Sequence, residues 1–359
     1  MTVKLLTVPV LESGDDPRMW MYEAYRDVHA AARFALRGNT DTLNPAESLR
    51  LARLRDEASE SVWLLAVDGD DSRHVLGAGS ASWMLLSNPT LAFLDVAVYP
   101  EHRRRGVGAL LADTVESVAD EHGRTSKITW IGFAEPKDGE ATAAAQNGDA
   151  VPADTPGLIM ATKRGYTLRL VNRQSRLDLP VDAGLLDRLW RVAEPKAAGY
   201  RLRQWVGVPD EKWLDQIAAL SASTAVEQPV GDVDWEEDPW DGDRLREYIQ
   251  RLGESGRDAV TTVAEHIATG EIVAETDFDV TRQGRADAEQ GDTIVRRDHR
   301  GHNLGMTVKI ANLRRLMRDY PQIERVYTWN TSINEHMLAI NTALGFYPAG
   351  GEAVMQKGD

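Results

Sequence analysis

The chain has no cysteine anywhere in its 359 residues. That absence excludes disulfides, thiolate metal sites and any reaction that passes through a cysteine acyl-enzyme. Long apolar runs are missing too: none approaches the roughly 18–20 residues that a membrane-spanning helix needs. The opening MTVKLLTVPVLESGDD has one lysine and a short apolar stretch, then runs into acids, so it does not read as a secretory signal. Positive charge is scarce, with 41 Lys and Arg against 56 Asp and Glu, a net charge of −15. Phosphate backbones would be repelled, so no nucleic-acid partner is expected. A cationic small molecule would be attracted, although the same charge serves solubility. The expectation is a cytoplasmic protein without a membrane partner, monomer or homodimer.

What is present is ordinary globular composition, 42% hydrophobic and 27% charged, and enough length for two or three domains. The organisation shows in a repeat. Residues 94–109 read LDVAVYPEHRRRGVGA and residues 291–306 read GDTIVRRDHRGHNLGM. At an offset of 197 (292 − 95), Asp95 falls on Asp292, Val98 on Val295, His102 on His299, Arg103 on Arg300 and Gly108 on Gly305. Glu101 and Asp298 keep an acid in the same place, and VLGAG from Val75 aligns with IVAET from Ile272. Downstream, ITWIG resembles VYTWN and KRGY resembles TALGF. So long a period is not a solenoid; it indicates a duplicated domain, 1–180 and 181–359, with 181–197 as a linker helix. Gly106 to Gly165 is 59 residues, whereas Asn303 to Gly345 is 42. The extra length falls in 134–156, rich in Ala, Gly, Asp and Pro, and predicts a surface loop.

Apolar spacing predicts the same succession in each half. Two helices come first, then a hairpin, a strand, a loop and a long helix. A further strand and a short helix ending at Gly165 or Gly345 follow. The strand–loop–helix VAVYPEHRRRGVGALL carries the chemistry. Glycines let backbone N–H groups approach a ligand closely. A helix N-terminus adds its dipole and unpaired donors, a ready seat for diphosphate, and arginines add charge-assisted hydrogen bonds. Three arginines are disfavoured beside a positive helix end unless an anion sits there.

This segment resembles the Q/R-x-x-G-x-G/A motif of the GNAT acyltransferase superfamily, which holds the pyrophosphate of coenzyme A. Arg103, Gly106 and Gly108 match in the first half, and Arg300 and Gly305 in the second, where Asn303 replaces a glycine. Asparagine tolerates left-handed backbone better than most residues. The resemblance covers both halves. It implies an α/β fold of two tandem GNAT domains, each a twisted mixed sheet flanked by helices, with acetyl-CoA as cosubstrate. The layout resembles that of actinobacterial two-domain acetyltransferases such as mycothiol synthase. The implied cofactor contacts are Val98, Arg103, Arg104, Arg105, Gly106, Val107, Gly108 and Ala109, and then Val295, Arg300, Gly301, His302, Asn303, Leu304 and Gly305. Asn330 and Asn334, ahead of Gly345-Phe346, match the family's acyl-end segment, which the first half lacks.

The implied reaction is direct attack of a primary amine on the thioester. Many members of the family supply a proton from a tyrosine four residues before the closing Gly; Ala161 and Asn341 stand there instead. Candidate bases are Asp292, Glu275 and Asp95, each of which could equally be a solvated strand acid. His102 and His299 can titrate near neutrality, or simply pair with a helix end. The run DVDWEEDPWDGD, 232–243, with seven acids and two tryptophans, suits the mouth of a pocket for a cationic amine, or a solvated loop with capping acids. The missing tyrosines leave a second reading open: a degenerate acyl-CoA-binding protein, one or both domains serving as ligand-binding or scaffold modules.

Overall fold

A computed structural model describes residues 2–54, 58–145, 148–227, 241–331 and 334–358. They divide into two compact units: residues 2–173 with 350–358, and residues 174–227 with 241–349. The acidic segment is outside the described residues apart from positions 241–243.

Unit one begins with β1 (Val3–Val8), α1 (Trp20–Arg37), α2 (Ala46–Leu54), β2 (Ser59–Asp68), β3 (Val75–Met84) and β4 (Leu91–Val98). These strands form an antiparallel meander. Helix α3 (Val107–Glu121) then crosses over to β5 (Ser126–Phe133), which is parallel to β4. Val107, Leu111, Val115 and Ala119 recur every four residues and are fully buried against the sheet. The helix sits low because β3 has a glycine beneath it. A Cβ on Gly77 would stand 2.8 Å from Ala97 O and 3.0 Å from Leu111 Cδ1.

The insertion expected as a loop instead forms a hairpin, β6 (Thr142–Ala144) with β7 (Ala150–Pro152), followed by α4 (Pro156–Lys163). Ala145 and Val151 bury against Phe133. Strands of three residues are too short to show a hydrophobic period, so composition alone misreads them. β8 (Thr167–Asp178) runs past the division at residues 173/174, which falls seven residues before the expected boundary of 180.

Unit two contains α5 (Ala183–Ala193), β9 (Tyr200–Val206), α6 (Glu211–Glu227), α7 (Gly242–Glu254), β10 (Arg257–His266), β11 (Ile272–Thr281) and β12 (Asp287–Val295). It continues with α8 (Leu304–Asp319), β13 (Arg325–Asn330), α9 (Glu335–Leu344) and β14 (Tyr347–Lys357). The expected linker helix α5 packs on α8: Arg314 meets Asp187 at 2.5 Å and stacks over Trp190, and Leu186 joins the core with Ile310 and Leu313. The last strand, β14, begins in unit two and ends in unit one, where residues 351–357 pair antiparallel with β5.

Both units share one feature that positions a site. β4 and β5 pair only from Leu91↔Ser126 to Phe93↔Ile128, and then part. β12 and β13 pair only from Asp287↔Arg325 to Glu289↔Tyr327. Beyond those points each pair of parallel strands opens into a wedge, with the crossover helix at its wide end.

Candidate active site

The two loops at the wide ends have the same backbone. Arg103 Nε donates to Val98 O at 3.3 Å, and Arg300 Nε donates to Val295 O at 3.3 Å. Each loop turns left-handed at two alternate residues, Arg104 (φ 61°) and Gly106 (φ 87°) in one, Gly301 (φ 85°) and Asn303 (φ 56°) in the other. Asn303 therefore takes the conformation of the glycine it replaces, as its side chain allows. The first bonded helical amides are those of Leu110, to Gly106 O, and Thr307, to Asn303 O. Among the described residues the amides of 104–109 and 301–306 reach no backbone acceptor, and the first turns of α3 and α8 add their dipoles. This is a cradle for an anion. Gly108 and Gly305 line it: a Cβ there would meet only Val98 and Met160, or Ile340 and Val295, at 3.4 Å or more. Arg104 and Arg105 are exposed, with no ion pair among the described residues.

The two histidines before these loops are structural. His299 Nδ1 is 2.9 Å from Tyr200 Oη and its Nε2 is 2.7 Å from Arg296 Nη2. Burial pushes its pKa down. His102 packs edge-on against Tyr99 and His74.

At the narrow end the units differ. In unit one, β3 and β4 pair without interruption, Ser80 opposite Asp95. In unit two the register breaks: Thr276 stands opposite Thr293 and Phe278 opposite Gln290, so Gly291 and Asp292 together face the single residue Asp277. This is a β-bulge, and it leaves one residue of β12 unpaired in the ladder. A Cβ on Gly291 would overlap the Asp277 carboxylate.

Acids gather at that bulge on the face covered by α6 and α7. Glu275 is buried and accepts from Ser221 Oγ at 2.8 Å; burial, with the charges of Asp277 and Asp292, lifts its pKa to about 8. Asp277 is lifted to about 7 by burial and by Asp292. Asp292 and Tyr248 are both open to solvent, yet desolvation raises both. From the α8 face comes Lys309, 2% exposed, with its Nζ 5.7 Å from the centre of the Phe346 ring. Burial lowers it to about 7 against the opposing pull of Asp277. At the offset of the repeat, Glu275, Asp277 and Lys309 correspond to Ala78, Ser80 and Ala112. Unit one keeps Asp95, whose Oδ2 is 3.3 Å from His29 Nε2, beneath Tyr25, which bonds Ser80 Oγ.

The sequence candidates are thus distributed unevenly. The loop residues come together in both units. Asp292 and Glu275 come together in unit two, and Asp95 stands apart with His29. Asn330 borders the wedge, where Asn341 Nδ2 donates to its Oδ1 at 2.9 Å, leaving the buried Asn341 Oδ1 unpartnered. The Asn334 side chain instead caps α9, accepting from the Met337 amide at 3.2 Å. Asp277 and Lys309 escape sequence reasoning. Their signal is present, as charged residues at repeat positions where the other half has Ser and Ala. Among the described residues no group of three or more His, Asp or Glu side chains is placed so that it could hold a metal ion, and no helix is long and apolar enough to cross a membrane.

The Acetyltransferase (GNAT) family model matches residues 21–145, most of unit one. No curated protein sequence matches the chain. Among solved structures, the chain is similar to a tandem GNAT protein from the clavulanic acid biosynthesis pathway. The identity is 24%, the TM-score 0.75, and the match covers 99% of this chain and 98% of that one. It is also similar to a GCN5-related N-acetyltransferase from Sphaerobacter thermophilus, with 16% identity, a TM-score of 0.62 and coverage of 99% and 95%. At such identities the likeness carries the fold: two tandem GNAT domains. The family match lies within unit one, and the likeness in fold extends over both units.

Proposed function

We propose that the chain moves the acetyl group of acetyl-CoA to the primary amine of a small cationic acceptor, and that unit two performs the transfer. The observation that carries this reading is the bulge in β12. It sets acids on one side of the wedge and leaves the amide cradle and α8 on the other. Residues 301–306 would hold the diphosphate, and a Cβ-free Gly305 keeps that seat open. The thioester end would then lie where β12 leaves β13, beside Asn330 and Asn341. The unpartnered Asn341 Oδ1 fits a polar arm there.

The acids suit the acceptor. An ammonium entering from the α6 and α7 side meets Asp292 first, with Asp277 and Glu275 behind it. A lysine-like amine, with pKa about 10.4, must lose a proton before it attacks. A carboxylate raised toward neutrality takes that proton more readily than an ordinary one. Asp292 is the proposed base, and burial holds its pKa up. Lacking cysteine, the protein performs the transfer directly, amine nitrogen to acyl carbon. Unit one, with its cradle but without the bulge and the acid group, is proposed to bind acyl-CoA and turn it over poorly.

A panel of amines with acetyl-CoA tests this. A thiol reagent then reports released CoA without protein background. Acceptor-dependent release that Gly305→Arg abolishes supports the reading. CoA bound at both units with no release from any amine would favour the scaffold reading instead.

A further inference from the structure

The family's usual proton donor is absent from both units, since Ala161 and Asn341 occupy its position. The departing thiolate still needs a proton. We propose that Lys309 supplies it: a buried ammonium on α8 that delivers its proton to the sulfur of CoA as the acyl carbon–sulfur bond breaks. This rests on the reading of unit two as an acetyl-CoA site.

Three observations place it there. Lys309 lies one helical turn beyond Gly305, so it is carried past the diphosphate seat toward the narrow end of the wedge. Its tip lies within reach of both Phe346, just after α9, and the field of Asp277, whose carboxylate abuts the bulge. Lys309 therefore approaches from the α8 side the same point that the acids approach from the α7 side. Finally, the side chain is almost wholly buried, yet it makes no hydrogen bond or ion pair among the described residues. Fold alone does not require a lysine there, because Ala112 fills the equivalent place in unit one.

The charged groups around it are few. Asp277 on β11 acts on it directly, with Glu275 and Asp292 behind. On α5, Asp187 is already held by Arg314. Burial holds Lys309 near neutrality, where an amine can both give and regain a proton.

The balance is closed. Asp292 first passes the proton of the entering ammonium to solvent; the neutral amine nitrogen then forms its bond to the acyl carbon and releases one proton to the freed Asp292 carboxylate. The C–S electron pair goes to sulfur, which takes one proton from Lys309. Solvent then carries the proton from Asp292 back to the lysine.

The test needs no acceptor. In a Gly108→Arg background, CoA is bound to unit two and the pH dependence of its alkylation by iodoacetamide is followed; CoA carries the one thiol in the sample. Below about pH 7, where Lys309 carries its proton, an ammonium within about 4–6 Å should raise the thiolate fraction of bound CoA by roughly 10- to 1,000-fold, and Lys309→Met should return the alkylation rate to that of free CoA. A rate below about pH 7 equal to that of free CoA, or one unchanged by Lys309→Met, overturns the proposal. Failure of CoA to bind at all in this background overturns the acetyl-CoA reading of unit two, and the proposal with it. With an acceptor in hand, Lys309→Met should lower kcat roughly 100-fold or more with KM for acetyl-CoA held within a few-fold. Lys309→Arg should not rescue, because a guanidinium does not release its proton. A rise in KM with kcat intact would make Lys309 a binding group only and would overturn the proposal.

Discussion

Asn303 stands at φ 56° and ψ 23°, the position at which unit one has Gly106. Asn303→Val replaces a residue that tolerates left-handed backbone by a β-branched one that does not. A β-branched residue held left-handed costs about 1–2 kcal/mol. That energy has two places to appear. If the loop keeps its shape, the folded state carries the strain, and unit two should melt roughly 2–8 °C lower. If the loop relaxes, the amides of 301–306 lose their common aim, and the loss appears in CoA affinity as roughly 5–30-fold. The two losses, each expressed as free energy, should sum to the cost of the dihedral. Calorimetric titration with CoA and thermal melts on the same samples measure both, in a Gly108→Arg background so that one cradle is read. Asn303→Gly is the control, near neutral in stability with affinity retained. If Asn303→Val alters neither quantity, the left-handed turn is not what builds the cradle.

Asp292→Asn should lower turnover by roughly 100- to 10,000-fold, and the deficit should shrink at high pH, where the amine is already neutral; a pH-independent deficit would make Asp292 a positioning residue. Gly305→Arg should abolish turnover and leave one CoA site, whereas Gly108→Arg should spare turnover and also leave one site; calorimetric stoichiometry beside the thiol assay decides, and the reverse pattern exchanges the units' roles. The folded state raises the pKa values of Asp277 and Glu275, so their contribution to stability is fully present below the ordinary carboxylate range and is lost as pH rises through about 7 to 8. Lys309 is lowered, so its contribution is fully present above the ordinary lysine range and is lost as pH falls toward about 7. Asp277→Asn should therefore raise the Tm of unit two more at pH 9 than at pH 5, by roughly a few degrees, and an equal change at both would show that Asp277 is not buried against its charge.

Much of the fold and of both cradles is legible in the sequence, because the repeat places residues by comparison with each other. Arg103 with Arg300 and Gly108 with Gly305 mark both cradles, and the hydrophobic periods mark α3 and α8. The acids are only half legible. Asp292 and Glu275 stand out on a matched strand, but nothing in a strand's sequence says that its neighbour will bulge. Asp277 and Lys309 draw no notice because a charged residue on a strand or helix is ordinarily solvated; only packing makes these two unusual. The short strands β6 and β7 fail for want of length. The unit division at 173/174 is invisible because β8 reads as one continuous strand across it, and the return of β14 to β5 is a long-range pairing that no local pattern records.

The bulge also shows in the spacing of the repeat, and that suggests how the halves came to differ. Leu91 and Asp287 begin their strand pairings equivalently, 196 residues apart, whereas Val98 and Val295 end theirs 197 apart. One extra residue lies in β12, at Gly291-Asp292. Deleting Gly291 should restore the unbroken ladder of unit one. Asp292 would then stand directly opposite Asp277, as Asp95 stands opposite Ser80. Like charges directly opposite are destabilising, and the two carboxylates would then share one face without the kink that separates them. The deletion should therefore lower stability above neutral pH and remove turnover. Adding Asp277→Ser, the residue of unit one, should recover the stability but not the activity. Melts and the thiol assay on the single and double variants separate the two effects. Turnover retained by a folded deletion variant would show that the bulge is incidental, and that acids on an ordinary strand suffice for the transfer.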